Sequence, residues 1–273
     1  MLTVQQMTVK AENVIVNDLS FSLRENECLA IVGESGSGKS TLAKAMLRLL
    51  PNSFKVSGSV DFQGNNLLQM KEKQLRAIRG KKIAVVFQDV MNAFFPLQKI
   101  GVQMIETICE KRAVTKADAE TIAFRELAQL NVHDIDAVFD KFPHELSGGL
   151  LQRCMIALSF SLNPDVLIAD EPTTALDALT TAAVLSRFEQ FVAGENKALL
   201  FITHDLSIVK RLAHSILVMK QGSSVEYDKA AIVLNEPTHP YTKFLVAMHE
   251  KKTAVLKEVL KRGIEHARGK TRL

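Results

Sequence analysis

The stretch from Glu27 to Ser40, ECLAIVGESGSGKS, limits this chain to very few folds. Its opening run, ECLAIV, has no polar alternation after Glu27, the pattern of a strand buried on both faces. Gly33 to Ser40 match G-x-x-x-x-G-K-[ST], and a helical pattern follows from Ser40 to Leu50, where Pro51 closes it. Glycine lets the backbone wrap close around phosphates, so that successive N–H groups and the helix N-terminus face the anion. Gly33, Glu34, Ser35, Gly36, Ser37, Gly38, Lys39, Ser40 and Thr41 are therefore the candidate phosphate cradle. Lys39 can reach the β- and γ-phosphates, and the Ser40 hydroxyl can ligate Mg²⁺. A plain Gly/Ser turn would account for the glycines but not for Lys39-Ser40 at this place. The stretch reads as a nucleoside-triphosphate site.

The remaining chain alternates short β-rich runs with helical patterns, which predicts an α/β fold with a largely parallel sheet. Val56–Asn66, with two glycines and alternating apolar positions, predicts antiparallel strands beside the main sheet, and Ile83–Phe87 a further strand. From about Gly101 to Asn163 helical spacing dominates, so a mainly helical insertion is expected there. Strands resume at Asp165–Ala169 and Ala198–Thr203 with a helix between them, and Ser215–Tyr227 reads as a hairpin turning at Gln221-Gly222. Asp170 and Glu171 follow the first of these strands. A carboxylate at the C-terminal end of a parallel strand is where an open α/β sheet meets its ligand. Asp170 is thus placed to hold Mg²⁺ through water, and Glu171 to take a proton from, or orient, an attacking water. An acidic turn capped by Pro172 is the plainer reading, which the phosphate loop outweighs.

Charge excludes one class of partner. The 34 Lys+Arg and 30 Asp+Glu leave a formal +4. Residues 251–273 alone carry +6, so the body is slightly acidic and lacks the basic surplus of a nucleic-acid binder. No uninterrupted apolar run is long enough for a membrane span, and the N-terminus has no secretion-signal pattern. Three widely spaced cysteines fit a reducing compartment, and the seven histidines show no metal-ligand spacing.

Gly33–Thr41, Leu146-Ser147-Gly148-Gly149, Val166–Pro172 and His204, in that order, resemble the ATP-binding-cassette (ABC) ATPases, over about Asp18 to Tyr227. The resemblance implies a RecA-like parallel-sheet core with an antiparallel β subdomain and a helical subdomain at about 89–163. It implies a single cassette over 1–235, followed by an extension over 236–273 that includes the basic tail. It also implies ATP and Mg²⁺ as ligands. Gln88 falls at the family's glutamine loop, touching Mg²⁺ and facing the membrane partner; Asp177 at the dimer-crossing aspartate; His204 at the switch histidine on the γ-phosphate. Ser147, Gly148 and Gly149 would address ATP held by a second subunit, since the insertion separates them from their own loop. A Ser N-cap explains Ser147 but not the glycine pair, which helices disfavour.

Two positions depart from the family. Residues 1–20 contain no aromatic to stack on adenine, which leaves aliphatic contact for the base. The position after Leu146–Gly149, usually Gln, is Leu150, which implies a less active composite site. Asn235–Thr242 (NEPTHPYT) resembles a segment of bacterial peptide- and nickel-importer ATPases, and Leu150 together with the lack of cysteine after Cys154 points toward the nickel or metal-chelate branch. An oligopeptide or dipeptide importer is the alternative, and an exporter ATPase a weaker one. The partners implied are a second, different ATPase, two transmembrane permease subunits and an extracellular solute-binding protein, with this chain on the cytoplasmic face of the membrane. The surface near Gln88 with Phe94-Phe95-Pro96 is the candidate permease dock, and Leu256, Leu260 and Ile264 predict an amphipathic helix in the tail.

Overall fold

The computed structural model describes residues 1–252 and 254. It opens with two strands that the alternation pattern did not reveal, β1 (Leu2–Lys10) and β2 (Val14–Leu23), paired antiparallel. Each carries an extra residue near its middle, around Gln6 (φ 49°) and Asp18 (φ 45°), and the pairing shifts register a third time between Val9 and Lys10. These bulges break the period-two pattern yet keep Val4, Met7, Val16 and Leu19 all facing the core.

β3 (Glu27–Val32) follows, then the phosphate loop and α1 (Lys39–Met46). α1 ends before the expected Leu50. Arg48 takes the left-handed conformation (φ 52°), and Arg48 N–H and Leu49 N–H donate to the carbonyls of Ala45 and Lys44, a Schellman stop. β4 (Lys55–Phe62) and β5 (Asn65–Asn66) complete a four-stranded antiparallel sheet of order β2-β1-β4-β5, as Val56–Asn66 predicted. After α2 (Glu72–Ile78) and β6 (Ile83–Val86) come the helices of the insertion: α3 (Ile100–Arg112), α4 (Lys116–Gln129), α5 (Ile135–Phe139) and α6 (Gly148–Ser161).

β7 (Val166–Asp170), α7 (Ala178–Val192), β8 (Ala198–Ile202), α8 (Leu206–Leu212) and the hairpin β9 (Ser215–Lys220)–β10 (Ser223–Lys229) return to the main sheet. Its order is β10-β9-β3-β8-β7-β6, parallel except for β10. α9 (Ala230–Asn235) and a helix through 240–252 lie beyond it. The tail positions Leu256, Leu260 and Ile264 fall outside the described residues.

The main sheet is covered on both faces. Leu29 and Ile31 of β3 join the apolar layer shared with the antiparallel sheet and α1, whereas Ala30 and Val32 face the layer under α8 and α9. A third layer joins the insertion helices to α7, with Phe188 wedged edge-on between Phe160 and Phe201 at ring separations of 5.2 and 5.4 Å. Cys28, Cys109 and Cys154 are free thiols, and burial raises Cys28 and Cys154 far above the usual thiol range. Among the described residues no helix is long and apolar enough to cross a membrane.

This architecture fixes where chemistry can occur. Ile31 and Asp170 both pair with Ile202, so β3, β8 and β7 end on one row. The segments that continue from those ends meet over the N-terminus of α1.

Candidate active site

A cleft of about 550 Å³ lies over that row. Glu34, Ser35, Gly36, Gly38, Lys39, Ser40 and Thr41 form one wall, and Gln88, Glu171, Thr174, His204 and Ile15 line the rest. The loop's shape depends on glycine at two points. A Cβ on Gly33 would stand 2.2 Å from the Met219 carbonyl oxygen, and one on Gly38 (φ 97°) would stand 2.7 Å from that of Ile15.

Lys39 folds back over its own loop. Its ammonium donates to the carbonyls of Gly33 and Glu34, each at 2.8 Å, and to Ser37 Oγ at 3.3 Å. Burial lowers the Lys39 pKa, opposed by the carboxylates of Glu171, Asp170 and Glu34. An entering polyphosphate would supply what Lys39 now takes from two carbonyls.

At the bottom of the cleft Ser40 Oγ donates to Asp170 Oδ1 at 3.0 Å. Asp170 is 3% exposed, and that burial raises its pKa against the lowering effect of the Ser40 hydrogen bond. A hydroxyl and a carboxylate this close, with the Gln88 side chain on the neighbouring wall, are the hard oxygen donors that Mg²⁺ prefers. These residues fit the ion. Among the described residues no cluster of three or more His, Cys, Asp and Glu could hold a metal by itself.

Glu171 takes the left-handed conformation (φ 49°), anchored by its N–H on the Ile202 carbonyl at 3.0 Å. Such backbone outliers concentrate where a side chain must be aimed. Both carboxylate oxygens are engaged: Oε1 with His204 Nδ1 at 2.8 Å, and Oε2 with the Thr174 hydroxyl at 3.2 Å. A carboxylate held between an imidazole and a hydroxyl, on the rim of a phosphate-binding cleft, is arranged to receive a proton from water. Thr174 and Ile15 went unnoticed in the sequence. Thr174, three residues past the acidic position, had a local signal; Ile15 had none, because only tertiary packing brings it to the cleft.

Four expected residues lie elsewhere. Ser147 N-caps α6, accepting from Leu150 N–H at 3.3 Å, and Gly148 and Gly149 form the first turn of that helix. Asp177 N-caps α7, accepting from the Thr180 N–H at 3.0 Å and its hydroxyl at 2.7 Å, and these bonds lower its pKa. None of the four lines the cleft of its own chain.

The ABC transporter family profile matches residues 16–174, more than half the chain. The chain belongs to the ABC transporter family. It is 37% identical over 264 residues to the metal-staphylopine import system ATP-binding protein CntD of Staphylococcus aureus, covering 96% of this chain and 97% of that one. It is 39% identical over 241 residues to the oligopeptide transport ATP-binding protein OppD of Salmonella typhimurium, covering 88% and 72%. Among solved structures, a dimeric ATP-binding cassette in a post-hydrolysis state with ADP and Pi superposes with a TM-score of 0.76 at 25% identity, over 84% of this chain and 99% of that one.

This ABC protein is therefore an ATP-hydrolysing importer subunit of the peptide/nickel branch. Membership implies permease and substrate-binding partners and a peripheral place at the membrane. Leu150, where the family usually has Gln, is half-buried and packs on the apolar layer of the insertion.

Proposed function

We propose that the chain drives import of a metal ion or metal chelate, with ATP in the cleft above the phosphate loop. The extent of likeness supports this cargo: it runs over 96% of the chain with the metal-staphylopine ATPase, against 88% with the oligopeptide one. The higher identity of the latter, 39% against 37%, favours peptide cargo as the second reading.

In this reading the cassette spans 1–235, with its helical subdomain at about 89–163 and an extension from 236. Gly33–Thr41 hold the triphosphate, and Ile15 gives the base an aliphatic contact. Ser40, Asp170 and Gln88 would hold Mg²⁺, which would supply charge neutralisation for the phosphates. Glu171 takes the proton of the attacking water, and Thr174 and His204 keep its carboxylate aimed. His204 also contacts the γ-phosphate. Lys39 leaves the Gly33 and Glu34 carbonyls for the phosphates. Ser147, Gly148, Gly149 and Asp177, away from their own cleft, complete the site of a second and different ATPase subunit, whose own motifs complete this one.

The permease docks beside Gln88 from the cytoplasmic side. Of the two aromatics expected there, Phe94 is buried in the insertion core, whereas Phe95 and Leu97 are 74% and 89% exposed; the dock is theirs.

The test is metal content and labelled-peptide uptake in cells carrying Glu171→Gln beside wild type. Loss of nickel, cobalt or zinc accumulation with peptide uptake intact is the expected result. Lost peptide uptake with normal metals would move the chain to the peptide branch.

A further inference from the structure

The Asn235–Thr242 segment is used by no step above, yet the structure explains most of its residues. Glu226 of β10 anchors it: its carboxylate accepts from the Thr238 N–H at 2.8 Å, the Thr238 hydroxyl at 3.1 Å and the His239 N–H at 3.1 Å. Pro240 opens the helix through 240–252, where its missing N–H costs nothing. Tyr241 follows, and its otherwise orphaned N–H donates to Nδ1 of the His239 ring at 3.1 Å. His239 thus caps the helix, Pro240 starts it, and both fix the direction of Tyr241.

Tyr241 is 6% exposed and belongs to the same buried apolar cluster as Ala30, Val32 and Val218, with the Lys220 ammonium 4.9 Å over its ring. Its hydroxyl accepts from the Glu34 N–H at 3.0 Å. Burial raises the Tyr241 pKa, so the hydroxyl stays protonated at neutral pH. The Glu34 residue is therefore held from two sides, its N–H by Tyr241 and its carbonyl by Lys39.

Those two holds are not equivalent during the ATP cycle. If Lys39 moves to the phosphates, it releases the Glu34 carbonyl, and the Tyr241 hydroxyl keeps its grip on the same residue. We infer that Tyr241 is a positioning residue for nucleotide binding, which keeps the first turn of the phosphate loop in its binding shape while Lys39 changes partners. The inference rests on the reading of the cleft as the ATP site. The His-Pro-Tyr triplet then couples the helix after the cassette to the phosphate loop.

The experiment compares wild type with Tyr241→Phe, Leu245→Ala and Lys39→Ala. It measures the Kd for a fluorescent ATP analogue on the full chain, and KM and kcat for ATP in the assembled importer. Tyr241→Phe keeps the ring and removes the acceptor, so the part-buried Glu34 N–H loses its partner. The ATP Kd and KM should rise roughly three- to tenfold, with kcat at saturation unchanged. Leu245→Ala loosens the same helix without removing a hydrogen bond to the loop, and should lower the melting temperature while Kd and KM stay at wild type. The inference is overturned if Tyr241→Phe keeps wild-type Kd and KM, or if Leu245→Ala raises both as much. Should Lys39→Ala bind the analogue as well as wild type, the ATP-site reading itself fails, and this inference with it.

Discussion

Replacing Glu171 with Gln removes a base while leaving its surroundings nearly intact, and the structure indicates how large the loss should be. In the wild type Oε1 meets His204 Nδ1 at 2.8 Å and Oε2 meets the Thr174 hydroxyl at 3.2 Å. Gln keeps one oxygen for Thr174 and can donate its amide N–H to the lone pair of a neutral His204. The side chain therefore stays where it is, and the phosphate loop is untouched. What disappears is the capacity to accept a proton from water. A positioned general base contributes typically 10²–10⁴-fold, equivalent to about 2.7–5.5 kcal/mol at 1.36 kcal/mol per decade. ATPase turnover of the assembled importer at saturating ATP should therefore fall at least a hundredfold, with the ATP Kd of the variant within about threefold of wild type. Turnover within tenfold of wild type would refute the role of Glu171. A large loss of ATP binding would refute the geometric argument instead.

Asp170→Asn separates stability from function. Burial raises the Asp170 pKa, so the folded state holds this proton more tightly than the unfolded chain does. Stability from this group is thus lost as pH rises from the ordinary carboxylate range through the raised value, and the cost is greatest above that value. Asn, which can still accept from Ser40, should raise the melting temperature at pH 7 and narrow the gap to wild type at acid pH, while Mg²⁺-dependent ATP binding drops at least tenfold. Melting curves from pH 4 to 8, with and without Mg-ATP, check it; a variant less stable at pH 7 would contradict it. Gly38→Ala forces a Cβ to within 2.7 Å of the Ile15 carbonyl at φ 97°, so left-handed strain of about 1–2 kcal/mol adds to a steric clash. Urea unfolding should show that loss and nucleotide titration should show no binding; unchanged values in both would mean the loop tolerates what its backbone forbids.

Much of the candidate site is legible in the sequence because its parts are local. Gly33 to Thr41 carry strand, loop and helix start within one segment, and Asp170-Glu171 close a short apolar strand. What escaped notice has a physical cause in each case. β1 and β2 carry no clear strand pattern because the bulges at Gln6 and Asp18 break the alternation by which a half-buried strand is recognised. The helical pattern overruns α1 because the apolar Leu47, Leu49 and Leu50 extend the period past a stop set by the left-handed Arg48. Ile15 and Tyr241 carry no pattern of their own; each reaches the loop through the packing of distant segments. Phe94 and Phe95 look alike in sequence, and only the insertion core decides that one is buried and the other exposed.

The site is also scattered along the chain, and that has a consequence during synthesis. Ser40 and Asp170 are 130 residues apart, and Glu34 and Tyr241 are 207 apart. At about 5–20 residues per second, the phosphate loop is made roughly 6–26 s before the carboxylate under it. Roughly 10–40 s pass before the tyrosine behind it is made. A ligand stabilises only a state that can bind it. Cellular ATP therefore gives no help to the nascent chain until translation is nearly over, and from then on every finished copy gains it at once. A chain cut short before Asp170 should be as short-lived in ATP-rich cells as in depleted ones.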